Sequence, residues 1–149
     1  MMNHERRAFE DAFNLFCGSM LGHGIHRKVF ECSVRDDLVV KVEDNDGGAY
    51  RRFANVLEIE FWHQFQDYDK VAKWLAPCHI LSPDGRILLQ KRVEPIPRDY
   101  QLPSKIPTFL TDLKRSNFGL YEGRLVCVDY ANTIANPNTT LKNANWYED

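Results

Sequence analysis

Four prolines fall within residues 93–107, at Pro95, Pro97, Pro103 and Pro107. Proline offers no backbone N–H to a ladder and pushes the residue before it out of helical geometry. Neither a helix interior nor a central strand can run through such a stretch, so it reads as a loop or a connection between two lobes. The fold must therefore be assembled from one piece before it, about 1–92, and one after it, about 93–149. Together they make 149 residues, a single domain by size.

The first piece alternates between helical and extended patterns. Phe9, Ala12, Phe13, Phe16 and Met20 recur at helical spacing and predict an amphipathic helix over residues 5–20, with Gly18 and Gly22 marking its end. Val29–Val34 and Leu38–Val42 are β-rich runs joined by the turn Arg35-Asp36-Asp37. A polar loop over Asp44–Gly48 follows, then a second helix from about Ala49 to Gln66, with Phe53, Leu57, Phe61 and Phe65 at a four-residue step. Val71–Leu75 reads as another short helix. Cys78–Leu81 and Ile87–Gln90 form a hairpin around Pro83-Asp84-Gly85-Arg86. In the second piece, Phe118–Tyr121 and Leu125–Val128 make a hairpin around Glu122-Gly123. The Asn-rich tail from Asn132 shows little periodicity, although Trp146 and Tyr147 could dock on the body. Helices interspersed with antiparallel hairpins predict an α+β fold.

Composition narrows the function classes. A 44% hydrophobic content with nine Phe argues for a packed globule. A net charge of −2 with both signs interspersed disfavours nucleic acid and anionic membrane as partners. Cys17, Cys32, Cys78 and Cys127 are scattered along the sequence, and Cys78-His79 falls far short of a four-ligand zinc set. No leader and no run of eighteen apolar residues is visible. The expectation is a reduced cytoplasmic protein in which the Asn138-Thr139-Thr140 sequon is idle.

The chemistry concentrates in Thr111-Asp112-Leu113-Lys114-Arg115-Ser116-Asn117, with Asp129-Tyr130-Ala131 beginning twelve residues after Asn117. In D-x-x-x-x-N an Asp can accept the proton of an attacking hydroxyl, and an Asn side-chain oxygen can bind magnesium. Lys114 can neutralise charge on a transferring phosphoryl group. Asp129, at a strand end, can hold metal that bridges phosphates. Taken singly, Asp112 also reads as a cap, Asn117 as a turn residue and Asp129 as a strand terminator.

Upstream, Gly22-His23-Gly24-Ile25-His26-Arg27-Lys28-Val29 carries the first two glycines and the valine of G-x-G-x-x-G-x-V, with Arg27 in place of the third glycine. Small residues let a backbone approach phosphates, and equally they make ordinary turns. Lys41 stands inside Val39-Val40-Lys41-Val42, either at an exposed alternating position or held inward with a carboxylate partner. Glu58 is the natural candidate, placed by its spacing to Phe61, Trp62 and Phe65 on the apolar side of the second helix. Glu60, about 200° away around a 3.6-residue turn, should face solvent.

At these residues the chain resembles the protein-kinase superfamily over roughly Leu21 to Ala131. It is most similar to compact phage-encoded Ser/Thr kinases, whose D-x-G-A-x-Y loop is echoed by Asp46-Gly47-Gly48-Ala49-Tyr50. The resemblance implies a kinase-type N-lobe, an antiparallel sheet plus one helix, above a minimal C-lobe remnant. It also implies ATP and Mg²⁺ as cofactors, with Gly22, Gly24, Val29 and Lys41 at the nucleotide and Lys41 paired with Glu58. By the same likeness Asp112 is the catalytic base, Lys114 the Ser/Thr-directed lysine, and Asn117 and Asp129 the magnesium ligands.

The departures are Leu110-Thr111 in place of His-Arg and Tyr130-Ala131 in place of Phe-Gly. No A-P-E segment or long substrate platform follows Asp129. Three readings follow. One is a miniature phosphotransferase acting on a host or partner protein. A second is a pseudokinase-like binding module whose reduced lobe is covered by a partner or, in a homodimer, by a second copy. A third takes a small molecule as the target, as in kinase-like antibiotic phosphotransferases, although the absent segment is also where those enzymes build substrate pockets.

Overall fold

In the computed structural model the described residues are 4–24, 27–43, 53–133 and 136–148, and for 4–6, 9 and 12 the backbone alone. Ile25 and His26 of the glycine stretch, the loop at 44–48, the echo at 46–50, the expected helix start at 49–52 and the side chains of Phe9 and Ala12 lie outside them. The class is α+β. The chain divides into two compact units, residues 1–55 with 79–92 and residues 56–78 with 93–149. Among the described residues no helix is long and apolar enough to cross a membrane.

The first unit is built on a five-stranded sheet. Helix α1 (His4–Phe16) leads into β1 (Cys17–His23), β2 (Arg27–Cys32) and β3 (Leu38–Glu43), and a hairpin of β4 (Cys78–Leu81) and β5 (Ile87–Lys91) completes the order β1-β2-β3-β5-β4. The pairings β1–β2, β2–β3 and β3–β5 are antiparallel.

The first helix stops at Phe16, and residues 17–20, expected to be helical, are strand. Met20 falls at helical spacing but is exposed, so its period is incidental. The sheet's core is Cys32, Leu38, Val40 and Val42, against which Phe13, Phe30, Ile87 and Leu89 pack. Phe13 meets Phe30 edge-on at 5.0 Å, a favoured aromatic arrangement. Cys17 and Cys32, far apart in sequence, are cross-strand partners, and both are free thiols.

Helix α2 (Ala54–Phe65) begins where this unit ends. Its first turn is held by Asn55, which is fully buried. The Asn55 backbone N–H donates to Glu43 Oε1 at 2.5 Å, an acidic group at a helix N-terminus where unpaired N–H groups favour one. Its side-chain amide donates to the carbonyls of Lys41, Gly85 and Arg86 and accepts from Arg27. The expected stripe of Phe53, Leu57, Phe61 and Phe65 is buried only in its second half: Phe61 is buried and Phe65 half-buried, whereas Phe53 and Leu57 are 50% and 46% exposed. The other inward residues are Asn55, Glu58 and Ile59, two of them polar, which a pattern of apolar residues alone does not select.

In the second unit Phe61 packs on Phe65, Phe109 and Tyr130. A short helix, α3 (Asp69–Ala72), is followed by a segment that runs beside the end of the strand Arg124–Cys127. Leu75 bridges Cys127 in parallel, with Ala76 N–H bonded to the Cys127 carbonyl at 2.9 Å. The proline-rich stretch, expected to be a loop, ends in a short strand, β6 (Lys105–Pro107), paired on one side only, where a proline is tolerated; β7 (Phe118–Tyr121), β8 (Arg124–Cys127) and β9 (Leu141–Asn143) follow. β7 and β8 form the expected hairpin, its two-residue turn carrying positive φ at both Glu122 (50°) and Gly123 (79°). That is the type I′ geometry, whose twist matches the strands.

Gly119 on β7 is required by packing. A Cβ there would lie 2.9 Å from the Glu94 carbonyl oxygen, and Glu94 bridges Leu120. The tail, which has no visible period, is ordered where β9 pairs with β6 and Trp146 packs edge-on to Phe118 at 4.9 Å.

Candidate functional site

In the first unit three residues nominated from sequence fall in one register row. Gly22 on β1 stands opposite Val29 on β2, and Val29 stands opposite Lys41 on β3. Alternation along β3 puts Lys41 on the face opposite the core residues Val40 and Val42. Lys41 is nevertheless 3% exposed, because β3 is buried along its whole length. The exposed alternating position that a lone strand allows is therefore excluded.

The Gly24 N–H donates to the Arg27 carbonyl at 2.8 Å. A Cβ on Gly22 would meet nothing within 4 Å, and one on Gly24 only the Arg27 carbonyl oxygen at 4.0 Å. Neither glycine has a positive φ, so neither crowding nor backbone strain accounts for it. Open backbone beside a buried cation is what close approach of a phosphate needs.

In the second unit Asp112, Asn117 and Asp129 line one cavity of about 70 Å³, together with Phe109, Tyr130 and Thr133. Local geometry brings them together. Lys114 is extended, and the 3₁₀ turn Arg115–Asn117 that follows is closed by the Asn117 N–H on the Lys114 carbonyl at 2.9 Å. The Asn117 side-chain nitrogen reaches back to the Asp112 carbonyl at 3.4 Å, spanning D-x-x-x-x-N. The hairpin then returns the chain. Phe118 pairs with Cys127, and the Val128 N–H donates to the Asn117 carbonyl at 2.8 Å, which leaves Asp129 beside Asn117. Lys114 does not line the cavity; it is half-buried and bridges Tyr147.

Glu58 is fully buried in this unit, and its Oε1 accepts the Tyr130 backbone N–H at 2.8 Å. Glu60 is exposed, as its position around the helix requires. Glu58 thus fixes the backbone immediately after Asp129. Tyr130 is buried too, and its hydroxyl donates to the Ala76 carbonyl at 2.7 Å beside Cys78 Sγ at 3.2 Å.

Two residues escaped the sequence reading. Asn55 is one; its place in the first turn of a helix was the available signal. Tyr147 is the other. Its hydroxyl donates to Asp112 Oδ1, and this neighbouring carboxylate raises the phenol above its ordinary pKa. A contact across thirty-five residues leaves no local signal.

No protein-family model and no curated protein matches the chain. Among solved structures it is similar to one of an aminoglycoside phosphotransferase, the streptomycin–ATP–APH(2″)-IIa ternary complex. The likeness is distant. It is 18% identical at a TM-score of 0.38, covering 63% of this chain, which spans 30% of the other's length.

Among the described residues no group of three or more His, Cys, Asp or Glu could hold a metal. Magnesium does not need one. It usually takes one or two carboxylates, with substrate phosphates and water completing the octahedron. The Asp129 carboxylate and the Asn117 amide oxygen are such a donor set, so the residues fit that ion.

Proposed function

We propose that this chain is a compact phosphotransferase that uses ATP and Mg²⁺ and acts on a hydroxyl group, that of a Ser or Thr of a partner protein. The observation that carries this reading is the single cavity lined by Asp112, Asn117 and Asp129. That shared lining supports reading Asp112 as a proton acceptor and Asn117 and Asp129 as oxygen donors to magnesium. The row Gly22–Val29–Lys41 supports it with open backbone and a buried cation suited to phosphates.

In this reading Asp112 accepts the proton of the acceptor hydroxyl, and Asn117 and Asp129 would hold the magnesium. Bound there, the ion neutralises charge on the phosphates. Lys41 contacts the α- and β-phosphates. Glu58 keeps the Asp129–Tyr130 backbone in place, and Lys114 approaches the transferring phosphoryl group. Incubation with γ-labelled ATP and magnesium should label the chain itself or a protein in a cell lysate. Equal labelling by wild type and Asp112→Ala ends the reading. ATP binding should also depend on magnesium and weaken in Lys41→Ala and Asp129→Ala.

A second reading, a catalytically silent module that binds a partner protein, is favoured by one contact: Tyr147 already holds the Asp112 carboxylate. Absence of any thermal shift with ATP and magnesium, in a chain that still captures a partner, would select it. Ligand at a hundred times its Kd stabilises a native state by about 2.7 kcal/mol, so binding would be readily seen.

A further inference from the structure

The tail lies along the segment that carries Asp112. The Tyr147 N–H donates to the Leu113 carbonyl at 3.2 Å, and the Arg115 N–H donates to the Tyr147 carbonyl at 2.8 Å. These two bonds set Tyr147 in parallel beside Lys114. Trp146 anchors it, packed on Phe118, with Nε1 donating to the Pro103 carbonyl at 2.9 Å. β9 paired with β6 fixes the approach a few residues earlier. The side chain so placed is 50% exposed and puts its hydroxyl on Asp112 Oδ1.

An extended peptide held by backbone bonds, with a hydroxyl on the proposed base, is laid out as an acceptor substrate would be. We infer that Tyr147 is a phosphorylation site, modified in cis by the chain's own Asp112-centred site. This rests on the phosphotransferase reading above and adds an acceptor to it. In the step, the Tyr147 proton passes to the Asp112 carboxylate and the phenolic oxygen bonds to the γ-phosphorus of a nucleoside triphosphate. The bond from that phosphorus to the β–γ bridging oxygen breaks, and the nucleoside diphosphate leaves.

Tethering makes the encounter intramolecular. Well-oriented groups on one chain reach effective concentrations far above any free peptide, so a phenol can serve even where free targets are Ser or Thr. The product limits itself. A phosphotyrosine carries nearly two negative charges and would sit against the Asp112 carboxylate. Repulsion then lifts the tail off Asp112 and leaves the base open to another acceptor.

The test incubates the full chain with ATP and magnesium and maps phosphate by mass spectrometry. Phosphate on Tyr147 is expected, at a first-order rate independent of protein concentration. Asp112→Asn should reduce it by about a hundredfold or more, the range for loss of a general base. Asp112 is exposed, so this variant should fold; circular dichroism checks it.

Phosphate elsewhere on the chain or on lysate proteins, with none on Tyr147, overturns the inference and leaves the phosphotransferase reading standing. No phosphate anywhere overturns both. A rate that rises with protein concentration overturns the cis geometry. A readout independent of turnover is ¹⁹F NMR of chain labelled with 3-fluorotyrosine, the resonance assigned by its loss in Tyr147→Phe. Asp112→Asn should move that resonance, and an unchanged shift means the hydroxyl does not meet Asp112 in solution.

Discussion

Tyr130→Phe isolates one hydroxyl group at the centre of the second unit. The ring, 5.9 Å from Phe61 by centroids, keeps its packing, and the backbone N–H keeps Glu58 as its acceptor. What is lost is the bond to the Ala76 carbonyl at 2.7 Å and the contact with Cys78 Sγ at 3.2 Å. Ala76 and Tyr130 are 0% and 2% exposed, so water cannot replace the hydroxyl. An ordinary hydrogen bond contributes about 1 kcal/mol net, and depriving a buried polar group of its partner costs roughly 1–3 kcal/mol. The expected destabilisation is therefore about 2 kcal/mol.

In a chain of this size that corresponds to a fall in Tm of roughly 4–8 °C. Denaturant unfolding should show a lower midpoint at an unchanged slope. On the reading proposed above, ATP binding should survive the substitution, because Asp129 is exposed and its neighbour's backbone is still held by Glu58. A loss below about 0.5 kcal/mol would refute the reasoning, since it would mean that the hydroxyl finds water or a substitute.

Three further predictions concern stability. Asn55→Ala removes a fully buried amide that bonds three carbonyls and one guanidinium, and should destabilise by about 2–4 kcal/mol in denaturant titrations. Glu122→Gly relieves a left-handed backbone (φ 50°) that a side-chain-bearing residue adopts at some expense, and should raise the denaturant midpoint by the equivalent of about 0.5–1 kcal/mol. Asp37 is bonded by Arg35 and, secondarily, Lys91, which together hold its carboxyl well below the usual range. A carboxyl lowered in the folded state contributes stability above its unfolded value, roughly 3.9, and loses it as pH falls below that. Asp37→Asn should therefore lower stability at pH 7 and flatten the acid limb below about pH 4, with the two proteins converging at the acid end.

How far the sequence reveals this molecule depends on the range of the interaction. Strands β3, β5, β7 and β8 were legible because β-branched runs and turn residues act within a few positions, as at Pro83–Arg86 and Glu122-Gly123. Strand β1 was not, since Gly18 and Gly22 depress strand propensity and Met20 continues a helical period by accident. Helix α2 was legible as an element, and the inward position of Glu58 followed from its spacing to Phe61, Trp62 and Phe65; Asn55 was not, because it points inward for polar reasons that no hydrophobic pattern records. The tail is the extreme case. Leu141–Asn143 is three residues of strand, set by register with β6, and Tyr147 acquires its meaning only from Asp112.

The spacing from Asn117 to Asp129 illustrates how a motif becomes a geometry. Ten residues lie in the hairpin proper: four on β7, two in the turn and four on β8. An antiparallel pair with a two-residue I′ turn returns the chain in register, so the residue before β7 faces the residue after β8, and the Val128-to-Asn117 bond records it. Asp129 is then one residue beyond that bond. A one-residue slip of the pairing would turn every β8 side chain to the opposite face and break the Val128-to-Asn117 register that sets Asp129 next to Asn117 in the chain's return. The turn is therefore tied to the site. Its two-residue length explains why Glu122 is kept in a left-handed conformation, and the spacing that first suggested paired cation ligands is the spacing a tight hairpin imposes.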